Sequence, residues 1–362
     1  MKYQNIRRAA RSVTVGNTVI GGQAPIAIQS MTNTDTHDVK ATLAQIRALE
    51  NVGCDIVRLT VPDLAAADTV FALKEAGVHI PLVADIHFDY RVAIACAERG
   101  VDKIRINPGN IGGEEKVRAV VDACRAKGIP IRIGVNGGSL EKHILAKYGA
   151  PTADALVESA LYHAKLLEKF DFYDTVISIK ASEVSVMIAA NRALAARCDY
   201  PLHLGVTEAG AREMGLVKSA IGIGALLADG IGDTVRVSLT ADPVEEIGAA
   251  RRILSALSIE GQSSMNVVSC PTCGRTRIDL ISLSARFEDA VKREGLTDLP
   301  LRVALMGCAV NGPGEAREAD IGICGGDGEA LLIAKGKILR KIPEADVIPV
   351  LIAEIKKIKE KM

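Results

Sequence analysis

Eight short β-rich runs, each followed by an amphipathic helical pattern, recur along most of this 362-residue chain, and no other feature limits its fold as much. The strand cores read as Ile26 to Gln29, Ile56 to Leu59, Leu82 to Asp85, Lys103 to Ile106, Ile131 to Gly134, Val176 to Ile179, Leu202 to Gly205 and Thr234 to Val237. Helical patterns follow near 38–52, 63–77, 90–99, 113–127, 152–170, 183–197, 209–229 and 242–257. Alternating strands and helices imply a parallel sheet, because each helix carries the chain back to the end at which the next strand starts. Eight units in about 250 residues is the size of a closed (β/α)8 barrel. The expected class is therefore α/β, a TIM-type barrel followed by a smaller α+β domain. An open doubly wound sheet is the alternative, although no glycine-rich dinucleotide fingerprint follows the first strand to favour it.

A hairpin over Ser12 to Val19, turning at Gly16-Asn17, precedes the first unit. Composition changes near Ser258 to Ser264, where Gly261-Gln262-Ser263-Ser264 reads as a linker. This predicts a barrel over 1–260 and a second domain over 261–362. Beyond the linker lie a cysteine turn, a helix near 281–294, a strand over Leu301 to Met306, and strands near Asp320 to Cys324 and Ala330 to Ala334. A final lysine-rich helix reads as a solvated face.

With 48% hydrophobic and 24% charged residues, the chain can bury a large core. Lys plus Arg and Asp plus Glu both total 44, and aromatics are only 3%, so neither nucleic acid nor an anionic membrane is expected as a partner. No secretory signal or membrane span is legible. Eight cysteines in a chain of this length suit a reducing cytoplasm. Cys54, Cys96, Cys124 and Cys198 sit in or beside apolar helical stretches and read as small buried hydrophobes.

Strand side chains alternate between faces, so parity sorts them. Arg58 and Thr60 oppose Val57 and Leu59. Lys103, Arg105 and Asn107 oppose Ile104 and Ile106. Arg132, Gly134 and Asn136 oppose Ile131 and Ile133. Ser178 and Lys180 oppose Ile177 and Ile179, and Arg236 and Ser238 oppose Val235 and Val237. Helices cover the outside of a barrel, so the aliphatic faces point outward and the polar faces line the lumen. Arg58, Arg105, Arg132, Lys180 and Arg236 would then converge, and buried cations demand counter-charge. Asp85 and Glu208 can supply some, and an anionic ligand, most simply a diphosphate, the rest. A salt-bridge lattice with no ligand is the bland alternative.

Glu208 follows the seventh strand, where catalytic barrel residues usually lie, and could be a general acid, a general base or a ligand for a substrate hydroxyl. It could equally serve only a helix amino terminus. Asp85 and His87, at the end of the third strand, are weaker candidates.

Cys270-Pro271-Thr272-Cys273-Gly274 places two thiols on one turn, and Cys308 adds a third on a separate glycine-rich loop that continues Asn311-Gly312-Pro313-Gly314-Glu315. Convergent thiolates suit an iron-sulfur cluster; structural zinc or a redox dithiol is also compatible with the spacing. The spacing leaves the fourth ligand open between Cys324 and Glu315.

Taken with Ile26-Ala27-Ile28-Gln29-Ser30-Met31-Thr32-Asn33-Thr34, Arg105-Ile106-Asn107-Pro108-Gly109-Asn110 and Gly205-Val206-Thr207-Glu208-Ala209-Gly210, these cysteine segments make the chain resemble, end to end, the bacterial 4-hydroxy-3-methylbut-2-enyl diphosphate synthase family of the non-mevalonate isoprenoid pathway. The resemblance implies two-electron reductive ring opening of 2-C-methyl-D-erythritol 2,4-cyclodiphosphate with loss of a hydroxyl as water. It implies a 4Fe-4S cluster held by Cys270, Cys273, Cys308 and Glu315. It also implies substrate contacts from Arg58, Arg105, Asn107, Arg132, Asn136, Lys180 and Ser238, with Glu208 as acid-base residue; Arg236 is a weaker candidate that rests on strand parity alone. A flavodoxin or ferredoxin donor is implied, and a homodimer in which the cluster domain of one chain covers the barrel mouth of the other.

Two competing functions keep the same elements. A phosphate-binding barrel lyase or aldolase would use Lys180 as a Schiff-base nucleophile beside a structural zinc. An RNA-binding or scaffold protein would use the cysteine loops as a zinc module, against which charge and aromatic content count.

Overall fold

The computed structural model describes residues 6–259 and 265–362, which fall into two compact units, Met1–Gln262 and Ser263–Met362. The linker read at 261–264 lies outside the described residues. In the first unit the strands are β1 (Ser12–Val15), β2 (Thr18–Gly21), β3 (Ala27–Met31), β4 (Ile56–Thr60), β5 (Leu82–Asp85), β6 (Lys103–Ile106), β7 (Ile131–Asn136), β8 (Thr175–Lys180), β9 (His203–Leu204) and β10 (Thr234–Val235). Strands β3 to β10 form an eight-stranded sheet in the order β8-β7-β6-β5-β4-β3-β10-β9. Every pairing is parallel, and a bridge from Ile177 to Leu202 joins the two ends into a barrel.

The eight helices expected between strands are present, at Val39–Asn51, Leu64–Glu75, Tyr90–Glu98, Glu114–Lys127, Ala153–Glu168, Val184–Ala195, Arg212–Ala228 and Pro243–Ala256. Several start where a short polar side chain satisfies a free backbone N–H: Asp38 accepts from Ala41, Asp63 from Ala66, Thr152 from Ala155 and Asp242 from Val244. Beneath them lies the main core, built from outward-facing residues such as Val57, Leu59, Ile104, Ile106, Ile131, Ile133, Ile177 and Ile179. Among the described residues of this unit, two short α-helices escaped the sequence reading, Pro108–Ile111 and Lys142–Tyr148, both on loops at the carboxyl ends of strands.

The amino-terminal hairpin has a structural task. Val13, Val15 and Ile20 pack against Ala27, Ile56, Val83 and Val176, inward-facing residues near the strand starts, and so close the amino-terminal end of the barrel with apolar side chains.

The second unit has strands β11 (Asn266–Ser269), β12 (Arg302–Met306), β13 (Ile321–Gly325), β14 (Glu329–Ala334) and β15 (Lys337–Pro343), hydrogen-bonded in that order. β11, β12 and β13 run parallel; β14 and β15 return antiparallel. Helices Leu280–Arg293 and Val347–Lys359 bury Leu283, Phe287, Leu351 and Ile355 against Val303, Leu305 and Ile323. On the other face a smaller core joins Ala304, Met306, Ala316, Ala319, Cys324 and Ile333.

Candidate active site

Register places the polar set on one side of the barrel wall. Met31 pairs with Arg58, Thr60 with Asp85, Asp85 with Arg105, Arg105 with Arg132, and Asn136 with Lys180. Paired residues of neighbouring strands face the same way, so these side chains share the interior, as parity predicted.

Asp85 anchors the cluster. Arg105 Nη1 donates to its Oδ1 at 2.9 Å, and Arg58 Nη2 lies 3.6 Å from its Oδ2. Burial alone would raise the Asp85 carboxyl, but the facing Arg58 and Arg105 outweigh it and hold it well below the usual range. His87, exposed just beyond the end of β5, comes within 3.7 Å of Asp85. Burial, only partly offset by Asp85, pushes Arg58 down to about 10.

The second counter-charge is Glu246, not Glu208. Glu246 Oε1 lies 3.2 Å from Arg236 Nη2, and its other oxygen accepts from Ser30 at 2.8 Å. Glu208 is exposed, and no described ion pair includes it. Sequence reasoning missed Glu246 because it lies on the helix after β10, and a helix residue's partner across the barrel wall has no local signature.

Five cations therefore face two carboxylates. Arg132 is the extreme case: it is fully buried, and Nε, Nη1 and Nη2 all lack a hydrogen-bond partner. Burial, reinforced by Arg58 and Arg105, pushes it far below its ordinary value. Lys180 is likewise depressed by burial and then by Arg58, Arg236 and Arg132. Lys103, on the polar face but outside the expected site, is fully buried with an unpartnered Nζ. Such an excess is costly without a ligand, and guanidinium forks match phosphate oxygens.

The remaining barrel candidates lie near the strand ends. Asn107 donates to Ser139 Oγ at 3.0 Å and accepts from Gly109 N at 3.1 Å. Ser238 is half-buried just beyond β10. Asn136, Ser139, Ala181, Glu183, Thr207 and Glu208 line a cavity of about 500 Å³. Glu208 holds a left-handed backbone with φ +52°, a conformation that costs a non-glycine residue on the order of 1 kcal/mol or more and that recurs at functional sites. The following helix begins only at Arg212 and carries Glu213 in its first turn, so Glu208 does not serve that terminus.

In the second unit, Cys270 follows β11 and Cys308 follows its parallel neighbour β12, so both emerge at one sheet end. Gly307 N lies 3.3 Å from Cys270 Sγ, and Arg277 N donates to Gly307 O at 2.9 Å, which stitches the two loops together. Thr272 supplies a left-handed residue, φ +63°, inside the Cys270 to Cys273 turn. The Cys273 thiol is drawn below its ordinary value by the Arg275 backbone N–H and side chain, and Cys308 by the Asn311 and Val310 N–H groups. Arg275, to which the sequence pointed in no role, faces Cys273 first and also feels Cys308 and Glu315.

Cys324 behaves differently. It is fully buried in β13, packed so closely under Gly312 that a β-carbon there would lie 2.6 Å from its sulfur, and burial pushes it up to about 12. Cys54, Cys96 and Cys124 are buried and likewise pushed up to about 12, whereas Cys198 is only half-buried. Among the described residues, no three His, Cys, Asp or Glu side chains converge closely enough to grip one metal ion.

A closed barrel with a cation-rich lumen, together with a second unit bearing a cysteine loop pair, defines a two-unit barrel enzyme. The chain belongs to the GcpE family: the GcpE TIM-barrel domain matches residues 10–251 and the GcpE protein C-terminal domain matches residues 266–357. It is 56% identical over 356 residues to the 4-hydroxy-3-methylbut-2-en-1-yl diphosphate synthase (flavodoxin) of Lysinibacillus sphaericus, covering 98% of this chain and 95% of that one. The protein of the same name from Ruminiclostridium cellulolyticum is 56% identical over 349 residues, covering 96% and 98%. Among solved structures, dihydropteroate synthase from Thermus thermophilus superposes with a TM-score of 0.52 at 14% identity, over 68% of this chain and 98% of that one, a likeness of barrel fold alone.

Proposed function

We propose that this chain is an oxidoreductase that opens the ring of 2-C-methyl-D-erythritol 2,4-cyclodiphosphate and removes a hydroxyl, yielding 4-hydroxy-3-methylbut-2-enyl diphosphate. Two electrons and two protons enter, and one water leaves. The observation that carries this reading is Arg132, a fully buried guanidinium with three unpartnered nitrogens in a lumen where cations outnumber carboxylates.

In this reading Arg58, Arg105, Arg132, Lys180 and Arg236 bind the two phosphates, with Asp85 and Glu246 keeping the forks oriented. Asn107, Asn136 and Ser238 contact the remaining oxygens. Glu208, exposed at the cavity wall, passes one of the two protons to the leaving hydroxyl and regains one from solvent.

Cys270, Cys273, Cys308 and Glu315 would hold a 4Fe-4S cluster, which supplies the electrons one at a time and a Lewis-acidic iron. The donor chemistry fits. Two of the three thiols are drawn toward thiolate by backbone N–H groups or Arg275, whereas Cys324 is sealed in the core with its thiol held protonated. Each iron of such a cluster takes one protein ligand, so the four donors need not reach a common ion. Flavodoxin, which the relatives' names include, is the proposed donor, and a homodimer in a reducing cytoplasm the proposed setting. No described helix is long and apolar enough to cross a membrane.

Anaerobic purification with iron and sulfide analysis, followed by assay on the cyclic diphosphate with reduced flavodoxin, tests the whole. Colourless, iron-free protein with full activity would overturn it.

A further inference from the structure

We infer that Glu141 and His163 form a buried clasp that positions Asn107 and Asn136 for substrate. The inference rests on the proposed function and adds two positioning residues to it. Glu141 closes the run that leaves β7 through Asn136 and the turn Gly137–Ser139, and it immediately precedes helix Lys142–Tyr148. His163 lies on helix Ala153–Glu168. Its Nε2 meets Glu141 Oε1, with the two side chains only 1% and 10% exposed.

A third segment is locked into the same contact. A β-carbon on Gly109 would lie 2.8 Å from Glu141 Oε1 and 3.5 Å from His163 Cε1, so the backbone after Asn107 lies directly against the pair. Asn107 is held from both sides of this junction. Its Oδ1 accepts from Gly109 N at 3.1 Å, and its Nδ2 donates to Ser139 Oγ at 3.0 Å and to Ser139 O at 3.3 Å. Ser139 Oγ in turn lies 3.3 Å from Asn136 O. A shift of Glu141 would therefore move Gly109 and Ser139, the two supports of Asn107, and with them the strand end that carries Asn136.

A buried hydrogen-bonded polar pair is a poor way to add stability, since apolar residues of the same volume do as well; its use lies in fixing one geometry. Anchorage of the short helix does not require this one. Glu158 already ties that helix to Ala153–Glu168, accepting from Tyr148 Oη at 2.7 Å and from Lys147 Nζ at 2.5 Å. The Glu141 contact acts at the opposite end, next to the cavity residues.

Calorimetric titration of the cyclic diphosphate into the full-length, anaerobically purified protein tests this, alongside steady-state kinetics and melting curves. Glu141→Gln and His163→Leu are expected to weaken binding about tenfold or more. KM should rise in proportion while kcat changes less than about threefold. His163→Gln, whose amide can still donate to the carboxylate, should recover most of the loss, and Glu158→Gln should leave affinity unchanged. Unaltered affinity in the isosteric Glu141→Gln variant overturns the inference, as does an equal loss in Glu158→Gln or no recovery in His163→Gln. Arg132→Ala separates the two levels: if it binds normally, the substrate pocket itself is misassigned and the clasp falls with it; if it loses affinity while Glu141→Gln does not, only the clasp falls.

Discussion

Gly134 lies directly against the Arg105 side chain, so that a β-carbon on Gly134 would come within 2.3 Å of Arg105 Nε. The guanidinium can therefore lie across β7 and reach Asp85 only because that inward position has no side chain. Gly134→Ala should dislodge the fork and weaken binding of the cyclic diphosphate about tenfold or more, with the barrel still folded. Calorimetry together with circular dichroism checks this; native affinity would mean that Arg105 does not bind substrate from this pose.

Arg132 makes a prediction of opposite sign for stability and function. Its charge is buried without a partner, so Arg132→Met should leave the melting temperature of substrate-free protein unchanged or higher. Substrate affinity should nevertheless fall by about a hundredfold, as expected when a buried charged contact worth ~3 kcal/mol is lost. A variant that melts earlier and binds normally would show Arg132 to be a purely structural residue.

Glu208→Gln should retain affinity for the cyclic diphosphate while kcat falls about a hundredfold or more, the usual loss for a general acid-base group. Turnover at the native rate would remove Glu208 from the chemistry.

The cysteines separate by substitution. Cys270→Ser should lose both iron and visible absorbance, whereas Cys324→Ala, which trims a buried sulfur beneath Gly312, should keep the iron and lose only stability. Iron lost from Cys324→Ala but kept in Cys270→Ser would exchange their roles.

Acid should expose the Glu141 clasp. Burial would raise this carboxyl, but the His163 contact outweighs it and holds it at about 2, against an ordinary 4.5. A depressed folded value means that the stabilisation is complete above about 4.5 and fades as pH falls toward about 2. Melting temperature should therefore decline more steeply over that window in the native protein than in Glu141→Gln. Parallel curves would show that the contact does not stabilise the carboxylate.

What the sequence revealed, and what it hid, follows from the range of each interaction. Period-two alternation in β6, β7 and β8 made the lumen legible, because the apolar partners of Arg105, Arg132 and Lys180 had to face the helices. Glu246 and the Glu141–His163 pair were illegible: each depends on where a helix lands relative to a distant strand or loop. β15 escaped notice because it is an edge strand with only Ile342 buried, and Ile338 and Leu339 exposed, so no buried face marks its period. At the cysteine loops, spacing singled out candidate donors but could not choose between Cys324 and Glu315; the burial of Cys324 bears on that choice only once the sheet is in view.

The hairpin packed under the strand starts seals the base of the barrel and leaves only the opposite rim open to visitors. Under the proposed function, substrate and product share that rim, so product has to depart before another molecule is admitted, and discharge can set the pace of the cycle. Changes at the corked base would then alter how long the vessel survives heat, and changes around the lip how fast it empties.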